Sequence, residues 1–179
     1  METYIAMLRG INVSGQKIIK MIDFKNHLQE LNFTDVQTYI QSGNAVFKNK
    51  KISYKTLENK ISRKILDEYG FEVVVIVKSP EELEEIIRNN PFNDNKYLHR
   101  LYITFLSNEP TSDNLEKLRG IDHSPEEFVL KEKTIYFYSP QGYGKAKMNN
   151  NSFENKLKVS ATTRNWKTVN KLVEMSASG

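Results

Sequence analysis

A chain of 179 residues with 39% hydrophobic side chains is long enough to bury a core without disulfides or metal. The lack of cysteine excludes disulfide frameworks, thiol redox chemistry and Cys-ligated zinc, and no apolar run approaches the roughly 20 residues that a membrane-spanning helix needs. The formal charge of +4 is uneven: from Gln141 to Gly179 seven Lys or Arg stand against two Glu, while residues 1–140 sum to −1.

Thr3–Arg9 is a short apolar run of strand formers, too short and wrongly flanked for a signal peptide. With the missing thiols, it leads to the expectation of a cytoplasmic protein that has no membrane partner. Met21, Phe24, Leu28 and Leu31 recur at helical spacing and predict an amphipathic helix over 21–31. Val36–Ile40 and Asn44–Lys48 read as strands, and the short Gln41-Ser42-Gly43 between them signals a hairpin. Tyr54, Leu57, Ile61 and Ile65 mark a second helix ending near Gly70. Phe71–Val77 follows as a continuous apolar strand, expected to be central and buried on both faces. The order β-α-β-β-α-β is that of a ferredoxin-like unit.

Ser79, Pro80 and Glu82 form the start signal of a third helix, with a capping box and proline in the first position. Asn89–Asn95 is the best linker candidate. Arg100–Leu106 then reads as a strand, Ser112–Arg119 as a helix, and Glu127–Leu130 with Thr134–Tyr138 as a hairpin. A Gly-, Lys- and Asn-rich loop leads to a short helix around Phe153–Leu157, and a final helix is expected from Thr163. The fold class is therefore α+β, with tandem ferredoxin-like units. The second is degenerate, its last strand missing or replaced by helix, and a C-terminal helix follows. The boundaries read as 1–78 for the first half, 79–99 for helix and linker, and 100–179 for the second half with its basic C-terminal helix.

Three polar segments stand where elements begin or end: Arg9-Gly10-Ile11-Asn12-Val13-Ser14-Gly15, Tyr39-Ile40-Gln41-Ser42-Gly43-Asn44, and Thr162-Thr163-Arg164-Asn165-Trp166-Lys167-Thr168-Val169. Such positions expose backbone N–H groups and short polar side chains suited to binding. Neighbouring first and third strands would set Arg9 and Asn12 beside Ser42 and Asn44, offering a guanidinium, carboxamides, a hydroxyl and glycine N–H groups to an oxyanion or base edge. The same glycines and asparagines equally serve to close their own turns. Thr163 reads as an N-cap, with Arg164 and Asn165 in the first helical turn. There an arginine opposes the helix dipole, and a bound anion or nearby carboxylate relieves the opposition.

A chain opening Tyr-Ile-Ala-Met-Leu-Arg-Gly-Ile-Asn-Val from Tyr4, continuing to Tyr-Ile-Gln-Ser-Gly-Asn and closing on Thr-Thr-Arg-Asn-Trp resembles the bacterial family called domain of unknown function 1697. The match runs from about Tyr4 to Leu172. Lys167 and Ser14 stand where many relatives are expected to carry Asn and Gly. The resemblance implies a bacterial, soluble, two-part α+β protein, and implies no activity.

Other chemistry is thin. The loop Gln141–Lys147 is basic and glycine-rich but is not a Walker loop, since Ser139 replaces the first glycine and Ala146 the hydroxyl residue. It reads as a basic flap or a plain loop. His27, His99 and His123 are dispersed without ligand spacing, so neither metal nor cofactor is expected. No nucleophile has an evident base. The leading expectation is a binding protein for an anionic ligand, a nucleotide or nucleic acid, held between two halves by Arg9, Asn12, Ser42, Asn44, Lys147, Arg164 and Asn165. The C-terminal charge surplus supports it, although a solvated helix face explains that surplus too. An enzyme acting on a phosphorylated small molecule by electrostatics, or a protein-interaction module, are the rivals.

Overall fold

The computed structural model describes residues 1–178. The chain divides into two compact units, Met1–Glu85 together with the stretch from Lys171, and Ile86–Asn170. The first unit carries β1 (Glu2–Leu8), α1 (Met21–Glu30), β2 (Thr34–Tyr39), β3 (Asn44–Asn49), α2 (Tyr54–Tyr69) and β4 (Val75–Lys78). Its antiparallel sheet has the order β2-β3-β1-β4. After it come α3 (Pro80–Arg88) and the single-turn α4 (Asn95–Leu98). The second unit carries β5 (Leu101–Leu106), α5 (Ser112–Arg119), β6 (Glu127–Lys131), β7 (Thr134–Tyr138), a 3₁₀ turn at Tyr143–Lys145, α6 (Asn150–Leu157) and β8 (Ala161–Asn165). Its sheet runs β6-β7-β5-β8, also antiparallel, and α7 (Trp166–Ala177) closes the chain.

Local rules explain most element ends. Ser53 caps α2 by accepting from Thr56 N at 3.2 Å, and Gly70 ends it in the left-handed conformation at φ 74°. The expected capping box of α3 forms: Glu82 N donates to Ser79 Oγ at 3.2 Å and Ser79 N to Glu82 Oε2 at 2.8 Å. Tyr4, Ala6 and Leu8 of β1 join Phe24, Leu28, Phe47, Leu57, Ile61 and Ile65 in the first unit's core. Phe33 stacks on Phe47 there at 4.4 Å between ring centroids. Leu106, Leu118, Ile135, Phe137, Phe153 and Leu157 form the second unit's core. Each fully buried side chain of this size contributes about 1.5–3 kcal/mol.

Two expectations are corrected. The apolar run Phe71–Val77 yields a strand only from Val75 to Lys78, and that strand lies at the sheet's edge, not its centre. β4 finds partners only opposite Ile5–Leu8, so residues before it have no ladder to join, and Val73 packs into the core from a loop. The second unit's missing strand is present as β8, paired with β5 from Tyr102↔Asn165 to Leu106↔Ala161. Its sequence Ala-Thr-Thr-Arg-Asn hides it, because its buried side chains are mostly polar and hydrogen-bonded: Thr104 and Thr163 hydroxyls meet at 2.8 Å, and Thr163 donates to Asn150 Oδ1 at 3.0 Å.

Gly43 is the tightest backbone constraint. Its φ is 84°, and an added Cβ would lie 2.6 Å from Ile11 Cδ1 and 3.0 Å from Leu8 Cβ. Gly43→Ala is expected to lower unfolding free energy by about 1–3 kcal/mol. Gly10→Ala, with φ 67° but open space around the new atom, should carry only the backbone term, about 1 kcal/mol. Chemical denaturation of both variants checks the difference, and equal losses would show that the contact with Ile11 and Leu8 is relieved at no cost.

Candidate functional site

In the first unit, antiparallel pairing of β1 and β3 brings the two N-terminal motifs together, as their order predicts. Met7 lies opposite Asn44, and Leu8 N donates to Gly43 O at 2.9 Å. Asn12 fastens the loop after β1 to the turn before β3. Its Nδ2 donates to Ile19 O at 2.9 Å and to Gln41 O at 2.8 Å, while its Oδ1 accepts from Ile19 N at 2.9 Å. Asn44 is fully buried; its Nδ2 donates to Tyr39 O at 2.9 Å and to Ser42 Oγ at 3.1 Å. Arg9 is half-buried, and its N–H donates to Val74 O at 2.9 Å. The backbone here is unusually left-handed, with positive φ at Gly10, Asn12, Ser14, Gly15, Lys17, Ile40 and Gly43. The two carboxamides thus hold the shape of this cluster, and Arg9 and Ser42 are set within it.

The third motif sits differently from expectation. Thr163, Arg164 and Asn165 are strand residues of β8, and α7 begins at Trp166. The N-cap is Asn165, whose Oδ1 accepts from Thr168 N at 2.8 Å. The Thr163 cap fails because that hydroxyl is committed to Thr104 and Asn150. Arg164 is therefore not in a helical turn. Only 6% of it is exposed, and its Nη1 donates to Thr162 Oγ1 at 2.8 Å and Thr163 O at 2.9 Å. Burial lowers its pKa to about 10, partly offset by Tyr143, so the guanidinium stays charged near neutrality. Trp166 is half-buried at the helix start.

Lys147 lies in the loop between the 3₁₀ turn and α6, where sequence reading missed the residue that organises it. The Glu126 carboxylate is buried and accepts from Lys147 N at 2.6 Å and Met148 N at 3.0 Å. Lys147 Nζ donates to Ser124 O at 3.3 Å. A glutamate preceding a strand carries no sequence signal for such a clamp. Sequence spacing also does not show that His27, Glu30 and Glu68 converge. The Lys64 ammonium sits among them, 2.6 Å from Glu30 and 2.5 Å from Glu68, and its pKa rises to about 12 through Glu30 first and Glu68 second. An internal cation thus already answers that acidic cluster.

Charge separates the units. Unit 2 holds thirteen Lys or Arg against nine Asp or Glu, the whole net +4, while unit 1 holds thirteen of each. In unit 1 some cations meet carboxylates, as in Lys48–Asp35 at 3.0 Å, Arg63–Asp67 at 2.9 Å and Lys78–Glu82 at 3.0 Å, while exposed Lys20, Lys50, Lys55 and Lys60 have none in ion-pair range among the described residues. Lys145, Lys147, Lys156, Lys158 and Lys167 of unit 2 are exposed, and among the described residues none has a carboxylate in ion-pair range.

Two α+β units, each with a four-stranded antiparallel sheet, define the class of the chain. It belongs to the family described as "Protein of unknown function (DUF1697)", whose profile matches residues 1–136. The Thr162–Trp166 motif lies beyond that matched stretch. The fold is also that of a conserved bacterial protein, SP0830 from Streptococcus pneumoniae: TM-score 0.76, 24% identity, 97% of this chain and 98% of that one covered. A comparison with curated proteins finds no match. No described helix is long and apolar enough to cross a membrane.

Asn12→Ala removes three hydrogen bonds, two within its own loop to Ile19 and one to Gln41 of the turn before β3, and is expected to cost about 2–3 kcal/mol. Asn165→Ala removes one cap and should cost about 1 kcal/mol. Denaturant midpoints check both, and an Asn12→Ala protein as stable as the parent would free that side chain from its structural role.

Proposed function

We propose that this protein binds a phosphate-bearing anionic ligand, a nucleotide or nucleic acid. The observation that carries the reading is the placing of the entire net charge in unit 2, with exposed lysines that have no carboxylate in ion-pair range among the described residues. Lysines left in this state raise local anion concentration and release counterions on meeting phosphates. In this reading both units are ferredoxin-like (βαββαβ) repeats. Their identical element order and strand order support the reading.

The test is oligonucleotide binding by fluorescence anisotropy across a salt series, beside nucleotides by calorimetry. For single strands, each phosphate contact contributes about 0.7 to the slope of log affinity against log salt. Replacing Lys145, Lys147, Lys158 and Lys167 together by Gln should flatten that slope. Binding that is absent at low salt for both ligand types, or indifferent to the four substitutions, refutes the proposal.

We extend the ligand contacts to Arg9 and Ser42, in the loops held by Asn12 and Asn44, and to Lys147, Arg164 and Asn165. Arg→Lys keeps the charge but removes the planar fork that grips an oxyanion. Arg9→Lys and Arg164→Lys should each weaken ligand binding by about tenfold, the loss of one charge-assisted hydrogen bond, with the melting temperature recorded beside. Loss in only one variant would separate the two motifs, and loss of stability without loss of affinity would make the arginines structural.

A further inference from the structure

β6 is the open edge of the second unit's sheet, paired only with β7. An open edge presents unpaired main-chain groups to any strand that fits, and proteins commonly blunt it with bulges or proline. β2, an edge in the first unit, is interrupted in this way: Asp35 has φ 51°, and the register shifts between Thr34 and Gln37. β6 has neither device. Its five residues pair with β7 in unbroken register from Glu127↔Tyr138 to Lys131↔Thr134.

The register also shows which groups face outward. Lys131 and Thr134 flank the two-residue turn Glu132–Lys133, and so form a hydrogen-bonded pair. Alternation then directs the N–H and C=O groups of Val129 and Glu127 to β7, and those of Phe128 and Leu130 to the open side. Among the described residues these outward groups have no partner. Beside them runs a groove of about 490 Å³, lined by Ile121, His123, Phe128 and Leu130 among others.

We propose that β6 pairs antiparallel with β6 of a second copy of this chain, across a two-fold axis at Val129. The pattern of this strand is self-complementary under that operation. Phe128 meets the second copy's Leu130 as a hydrogen-bonded pair, so every outward main-chain group is satisfied. Val129 meets its own counterpart. Glu127, exposed at one end, lies opposite the second copy's exposed Lys131 in a non-hydrogen-bonded pair, where side chains approach most closely. Lys131 already donates to Asn89 O at 2.7 Å, and an ammonium has two further donors for a carboxylate. The contact is isologous and closed, giving one continuous eight-stranded sheet rather than a filament. It does not depend on the ligand reading.

Sedimentation equilibrium of the full chain tests it. The parent protein should populate dimers. Glu127→Lys places Lys against Lys at both ends of the contact, and Lys131→Glu places Glu against Glu. Each should weaken association by about tenfold or more, with circular dichroism and melting temperature confirming the fold. Mixing the two variants restores opposite charges at both ends, so heterodimers should form where neither variant self-associates. The double variant should regain association as well. A monomeric parent, dimers unaffected by either reversal, or a mixture that fails to associate would each overturn the proposal.

Discussion

The central place of the first strand in each sheet is the constraint on which the rest depends. β1 lies between β3 and β4, and β5 between β7 and β8. A strand with neighbours on both sides must spend its main chain on two ladders. Its side chains from Tyr4 to Leu8 are all buried as well, those of Tyr4, Ala6 and Leu8 in the core of unit 1. Where such a strand ends, the chain must leave the sheet abruptly. In unit 1 it does so through Gly10, Asn12, Ser14 and Gly15, all with positive φ, and the loop is then tied back by Asn12 to Ile19 and Gln41. The polar motifs are therefore a consequence of topology before they are anything else.

This explains what could be read from the chain itself. Caps, turns and amphipathic helices are local, so Ser79 with Glu82, Gly70 after α2 and the β6–β7 hairpin were legible from a few residues each. The juxtaposition of Arg9–Asn12 with Ser42–Asn44 followed from element order alone. β8 was not legible, because apolar periodicity detects strands that bury carbon, and β8 buries hydroxyls and a guanidinium. Nor could spacing reveal that β4 is an edge: its run of valines looks the same whether one neighbour or two are present. The role of Asn165 was misplaced by two residues for the same reason. Thr163, also a residue of capping type, had already been claimed by Thr104 and Asn150.

Arg164 shows how a charge can be kept in a protein interior without an apolar penalty deciding its state. Its Nη1 is met by a hydroxyl and a carbonyl, and burial lowers its pKa only to about 10. Arginine is the cation suited to this, since its charge is spread over a planar group and survives desolvation that would neutralise a lysine. The exposed lysines of the same unit are the opposite case. Lys145, Lys156, Lys158 and Lys167 are exposed without a carboxylate in ion-pair range among the described residues, so their charge contributes through the field it creates rather than through fixed geometry.

The polar residues thus divide by whether their bonding capacity is already spent. Asn12 and Asn44 bind nearby backbone, Asn165 caps a helix, and the Glu126 carboxylate clamps the loop that carries Lys147. Replacing any of them disturbs the local fold first, so lost activity in such a variant says little about ligand contact. The side chains of Lys145, Lys156, Lys158 and Lys167 have no hydrogen bond or ion pair among the described residues, so replacing them leaves the local fold in place. A change in affinity at constant stability is therefore informative at the lysines. At the asparagines the same change acquires meaning only once stability has been measured beside it.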